Sequence, residues 1–168
     1  LRLVGSEMCI RDRLNAGWLL SFHYEKFILS SIIIIALLIV LILIYLSYPI
    51  GDNRFGGRLP FSFYLGWISV ATIANISYTL QFHEISLGID EVTGTILLIV
   101  VAAVIAIAGR YISNDPFFSI VFVWAIIGIA KANPGTTIET AAYTVAIVIF
   151  ISIIFLPFLA KRRTSNKA

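Results

Sequence analysis

Long uncharged apolar runs, separated by short clusters of charge, dominate the chain. Lys26 and Asp52 bracket an uncharged run over 27–51, and Arg58 and His83 bracket 59–82. Glu91 and Arg110 bracket 92–109, Asp115 and Lys131 bracket 116–130, and Glu139 and Lys161 bracket 140–160. A helix that crosses the hydrocarbon core needs about 20 apolar residues. The pattern therefore predicts five transmembrane helices, at about 27–50, 59–82, 92–109, 116–130 and 140–160. The fourth is short. It spans only if Lys131 snorkels and the helix stands upright, and otherwise it is re-entrant. Strands are excluded by the lack of alternation, because a backbone in lipid must satisfy its own hydrogen bonds.

The connections carry helix-end chemistry. Asn114-Asp115-Pro116 places a cap before a proline at the first helical position. Asn133-Pro134-Gly135 reads as a turn, and Thr136 with Glu139 three residues on has the capping-box pattern. Gly56-Gly57 before Pro60 is a further break followed by a helix start. No connection is long enough for a separate domain, so residues 14–160 read as one all-α integral membrane bundle ahead of a basic tail, 161–168.

Composition agrees and narrows the field. Of 168 residues, 60% are hydrophobic and 12% charged, and the mean hydropathy is +0.98. A soluble domain carries about a quarter charged residues. The net charge of +3 does not point to nucleic acid, because the basic residues concentrate in Lys161-Arg162-Arg163 and Lys167, directly after an apolar run. If five helices span, one side holds seven Lys and Arg (two in 51–58, one in 110–115, four in the tail) against Lys26 and Lys131 on the other. That asymmetry places the tail in the cytoplasm. The lone Cys9 excludes an internal disulfide and a cysteine metal site.

The first thirteen residues stand apart. The chain opens on Leu1, its only methionine is Met8, and the charged stretch 1–13 has no apolar core like that of a signal peptide. Its Glu-Met-Cys-Ile-Arg-Asp string resembles translated sequencing-adapter read-through, so 1–13 is set aside as an artefact or a disordered terminus. The gene product is then expected to be longer than the chain.

Inside the expected spans there is no Asp, Glu, Lys, Arg or His. Intramembrane charges mark ion and proton paths, so a proton-coupled pump, a voltage sensor and a charge-lined channel are disfavoured. No catalytic residue stands out, and no ligand set has metal spacing. His23 and His83 sit at span ends and read as interfacial. The second span is the informative one. At about 100° per residue, Tyr64, Trp67, Ala71, Asn75, Tyr78 and Phe82 share a narrow arc, opposite Ser62, Gly66, Ser69 and Ser77. The small residues suit close helix approach. The aromatic stripe with one mid-depth amide suits either an apolar ligand pocket or a helix interface. Ala102, Ala106 and Gly109 form a packing face in the third run, and Trp124 with Gly128 is expected to pack rather than touch a ligand. Tyr45 and Tyr48 read as an aromatic belt.

The run Pro60-Phe-Ser-Phe-Tyr-Leu-Gly-Trp67-Ile-Ser-Val-Ala71-Thr72-Ile-Ala-Asn75 resembles the last core helix of the TspO/MBR family, the tryptophan-rich sensory or translocator proteins. Leu14-Asn15-Ala-Gly-Trp18 is similar to that family's Leu-Asn-x-x-Trp. The longer family members also resemble this chain over Trp18–Glu25 and Val123–Ala130. The resemblance implies a helical membrane protein with a pocket for tetrapyrroles or, in some members, sterols. It points to Asn15, Trp18, Trp67, Ala71 and Asn75, to which the stripe adds Tyr64 and Tyr78. It also implies that the first two spans are the fourth and fifth of a five-helix core, with three core helices upstream. No Tyr followed by Lys or Arg closes the second span, so no sterol-recognition motif carries over.

The resulting expectation is a multi-pass membrane protein that binds a porphyrin, haem-like or sterol-like ligand for sensing or transport. Its partners are the lipid bilayer and that ligand, with a homodimer left open and nucleic acid excluded. The alternatives are a non-catalytic membrane scaffold or assembly partner, and a membrane enzyme acting on a tetrapyrrole.

Overall fold

The computed structural model describes residues 2–47, 58–83 and 88–165, with the side chains of 2–8 and 157–165 excepted. Within them the chain forms six helices: α1 (Arg2–His23), α2 (Phe27–Ser47), α3 (Leu59–Phe82), α4 (Glu91–Ser113), α5 (Pro116–Ala132) and α6 (Thr137–Ser165). Four of them contain stretches long and apolar enough to cross a membrane: Phe27–Ser47, Leu59–Phe82, Glu91–Ser113 and Thr137–Leu156. The protein is an all-α, multi-pass membrane protein. The shorter α5 has 17 residues, a rise of about 25 Å against a hydrocarbon core of about 30 Å.

Lys26, Arg58, His83 and Asp115 flank their helices directly, but several other bracketing charges are part of the helices. Glu91, Arg110, Lys131, Glu139 and Lys161 all lie inside end turns, so α4 and α6 outrun the expected 92–109 and 140–160 at both ends. The expected 27–50 span is helical to Ser47, and 48–50 lie outside the described residues. Helix α1 has no counterpart among the expected spans. Arg2, Glu7, Arg11, Asp12 and Arg13 dilute its apolar content, and it runs through the stretch 2–13 set apart above.

The chain divides into two units, 1–88 and 89–168. In the first, α2 packs against both α1 and α3. The α1–α2 turn is tight. Lys26 N–H donates to the Ser21 carbonyl (2.9 Å) and Glu25 N–H to that of Phe22 (3.1 Å), while Glu25 sits in the left-handed region at φ 58°. This is a Schellman closure with glutamate where glycine is usual. The core of this unit is Phe27, Ile34, Leu37, Leu41 and Ile44 of α2 with Phe61, Leu65 and Ile68 of α3. Of the expected small-residue face of α3, Ser62 is fully enclosed and Gly66 and Ser69 are buried, with Thr72 buried beside them, while Ser77 is half-buried. Ser62, Ser69 and Thr72 each return their hydroxyl to the carbonyl four residues back, which hides the polar atom.

In the second unit α4, α5 and α6 pack pairwise. The expected cap forms: Asp115 accepts from the N–H groups of Phe117 (2.9 Å) and Phe118 (3.5 Å), with Pro116 opening α5. At α6, Glu139 N–H donates to Thr136 Oγ1 (3.3 Å), but the Glu139 carboxylate reaches Gly135 N–H (2.6 Å) rather than Thr136. The Ala102, Ala106 and Gly109 face packs as expected. Ser119 Oγ donates to the Ala106 carbonyl (2.8 Å), and the Phe118 ring lies against Gly109. Trp124 departs from expectation, because it stays 64% exposed on an outward face of α5.

Candidate functional site

The described chemistry concentrates where α1 and α3 flank α2. Three contacts fix α1 parallel to α3: Arg11 lies over the Tyr64 ring (5.7 Å), Trp18 bonds to Asn75, and the Phe22 and Tyr78 rings stand 5.7 Å apart. Residues 11, 15, 18 and 22 follow the spacing of a single helix face, so one side of α1 looks onto the α3 stripe.

Asn75 lies at the centre and is 3% exposed. Its Oδ1 accepts from Ser30 Oγ (2.7 Å) and Trp18 Nε1 (3.3 Å), and its Nδ2 donates to Ser31 Oγ (2.8 Å). Ser31 also shares a hydrogen bond with Thr79 Oγ1 (2.9 Å), and Thr79 lies within bonding distance of the carbonyls of Asn75 (2.7 Å) and Phe27 (3.3 Å). The result is a polar knot drawn from all three helices of the unit. A buried amide in an apolar setting is costly unless bonded, and here both ends are bonded.

Two flanks extend the knot. On one side Phe27 is enclosed by rings: Phe22 at 5.4 Å, Tyr78 at 4.9 Å and Phe82 at 4.6 Å. On the other, a cleft of about 390 Å³ is lined by Arg11, Asp12 and Asn15 of α1 and by Pro60, Phe61 and Tyr64 of α3. Arg11 is paired to Asp12 at 2.6 Å. Asn15, Pro60, Phe61 and Tyr64 come from outside the first thirteen residues.

The structure brings the expected residues together in two groups. Asn15 and Tyr64 meet at the cleft, and Trp18 and Asn75 meet in the knot, with Tyr78 among the adjoining rings. Trp67 and Ala71 lie between these groups on α3, Trp67 44% exposed and Ala71 half-buried. Ser30, Ser31 and Thr79 were not anticipated. Their signal is present: Ser30-Ser31 is the only polar pair in the apolar body of α2, and Thr79 follows Asn75 by one turn.

At the far end of α2, the Arg58 guanidinium stacks 3.9 Å from the Tyr45 ring centre, and both residues are buried. Arg58 and Arg110, counted above as loop charges, are thus enclosed: Arg58 at the start of α3 and Arg110 inside α4. The Arg110 donors are matched by the Ile153 carbonyl and Asn114, whereas Arg58 lays its flat face on the Tyr45 ring and keeps a buried Nε without a hydrogen-bond partner. His23 closes α1 and His83 follows α3, both exposed, each in ring contact with its sequence neighbour. Among the described residues no three His, Cys, Asp or Glu gather as a metal site.

Compared with known families, residues 1–155 match a family model described as TSPO-like protein. No curated protein and no solved structure matches the chain.

Proposed function

The chain belongs to the TSPO-like protein family, and from that premise we propose that it binds a flat apolar ligand, a tetrapyrrole or similar ring system, in the groove between α1 and α3, for sensing or transport. The observation that carries this reading is the division of labour on α3. The small face is spent on α2, while the aromatic stripe turns outward, with Trp67 44% and Tyr78 46% exposed. Outward Ile and Leu elsewhere meet lipid tails. This face differs in having rings beside a cleft that carries an amide and a phenol, the mixture a pocket uses to hold and orient a ring system. The cleft volume of about 390 Å³ lies in the range of small-ligand sites, roughly 300–1,000 Å³.

The roles divide accordingly. Trp67 and Tyr64 stack on the ligand, and Asn15 with the Tyr64 hydroxyl meets its polar edges. Asn75 and Trp18 hold the walls, because their mutual bond and those to Ser30 and Ser31 commit the amide.

That commitment is also the observation favouring a second reading, a non-catalytic scaffold whose stripe seats another helix. A protoporphyrin titration of the full chain in detergent, followed by tryptophan quenching, separates the two. Saturable quenching weakened by Trp67→Phe supports the pocket, and no saturable quenching removes it in favour of the scaffold. Turnover of bound porphyrin, in light or dark, would establish an enzyme instead.

A further inference from the structure

Pro157 opens a gap in the hydrogen-bond ladder of α6. In an α-helix the carbonyl of residue i accepts from the N–H of residue i+4. For Ile153 that position is 157, and proline has no N–H to give. The gap falls within the uncharged apolar run 140–160, where hydrocarbon offers no substitute donor.

Arg110 supplies one from the neighbouring helix. Its Nε and Nη2 donate to the Ile153 carbonyl at 3.3 and 3.2 Å, and its Nη1 donates to Asn114 Oδ1 at 2.7 Å. Asn114 is placed for this by its left-handed backbone (φ 50°), which ends α4 and returns the amide toward Arg110. Asp115, next in the chain, is 1% exposed and directs its carboxylate to the first N–H groups of α5. Arg110 itself is 6% exposed, one turn from the end of α4. The chain therefore buries a cation at a membrane-span end and directs two of its N–H groups to a neutral carbonyl.

The geometry points to Arg110 as the latch of a hinge built into α6. The guanidinium closes the gap left by Pro157 and holds the turns beyond Ile153, with the basic Lys161-Arg162-Arg163 they carry, against α4. The latch requires arginine. A planar fork places two N–H groups on one oxygen and a third on Asn114 at once, which a lysine ammonium cannot do. With the latch withdrawn, the unpaired carbonyl and the missing N–H make 153–157 the weakest point of the helix, and the basic end swings from there. This inference is independent of the ligand reading above, since it concerns only α4 and α6.

The test is a cycle of substitutions in the full chain, in lipid nanodiscs. A spin label on Lys161→Cys, in a Cys9→Ser background, reports motion of the end of α6, and a thermal melt reports stability. Arg110→Leu is expected to mobilise the label and lower the melting midpoint by several degrees. Pro157→Ala restores the helix's own donor, so the same Arg110→Leu change should then have less than half that effect. Arg110→Lys should behave like Arg110→Leu in the native background. If Arg110→Leu fails to fold with Pro157 but folds with Pro157→Ala, the latch is supported. Equal loosening in both backgrounds, failure to fold in both, no loosening in either, or full function of lysine at 110 would each overturn it.

Discussion

The Trp18 indole donates to the side-chain oxygen of Asn75, 57 residues further on, across 3.3 Å. Ser30 donates to the same oxygen at 2.7 Å, so α1 and α2 converge on one atom of α3. The amide, which the sequence leaves open between a ligand pocket and a helix interface, is hydrogen-bonded to both neighbouring helices.

Asn75→Ala is expected to destabilise the first unit by about 1–2 kcal/mol, the size of interhelical hydrogen bonds in membranes, because Ser30, Ser31 and Trp18 all lose a partner. Ser30→Ala leaves the amide bonded to Trp18 and Ser31 and should cost clearly less. Thermal or denaturant unfolding in detergent measures both. Equal effects would mean that the knot is not centred on Asn75.

Trp67→Ala should separate binding from stability. The side chain is 44% exposed, so its removal is expected to change stability by less than about 0.5 kcal/mol. Loss of a stacking surface should weaken porphyrin binding by about 3- to 10-fold, corresponding to roughly 0.5–1.5 kcal/mol. A melt and a quenching titration on the same preparation provide the comparison.

Gly109→Ala should be poorly tolerated. A Cβ built there would lie 2.4 and 2.6 Å from atoms of the Phe118 ring, and that ring belongs to a buried residue. The expected cost is about 1–3 kcal/mol from overpacking. Adding Phe118→Leu should recover part of it, and the two melting midpoints read the coupling.

Glu25→Gly is expected to stabilise the chain by about 0.5 kcal/mol. A left-handed conformation costs a residue with a Cβ roughly 1–2 kcal/mol, of which glycine returns about 0.5–1 through its freer unfolded state. The φ of 58° at Glu25 sets the sign, and a small rise in melting midpoint is the readout.

Asp90 gives α4 a pH-dependent start. Hydrogen bonds from Thr93 hold its carboxyl below the usual carboxylate range. The depressed group contributes stability that is fully present above the ordinary Asp value of about 3.9 and lost as pH falls through the lowered one. Amide exchange at Thr93, whose N–H donates to Asp90 at 3.1 Å, should therefore quicken only in strong acid. Asp90→Asn should flatten that acid response.

The sequence made the faces legible and left the partners of its polar atoms hidden. Periodicity separated Ser62, Gly66 and Ser69 from Trp67 and Tyr78 because buried and open faces of a helix alternate at fixed spacing. Caps at Asp115 and Thr136 were legible because capping is local. Arg58 and Arg110 were read as loop charges because hydropathy counts a charge without seeing what neutralises it. One rests on the Tyr45 ring, and the other reaches a carbonyl 43 residues away. Helix α1 escaped because charges in its first half conceal the face shared by Asn15, Trp18 and Phe22. Trp124 was misjudged because in lipid an aromatic ring can face outward without penalty.

Between Ser31 and Tyr45, α2 is an unbroken sequence of Ile, Leu, Val and Ala. Such a rod offers its neighbours nearly the same surface at every rotation, and hydrocarbon gives no preference for one over another. Its orientation is keyed at two points, Ser30-Ser31 on Asn75 near its start and Tyr45 under Arg58 near its end. A slide by one residue or a turn of about 100° would miss both keys at once. The few polar groups on this helix therefore act as an alignment code, selecting one seating from many that are equally greasy.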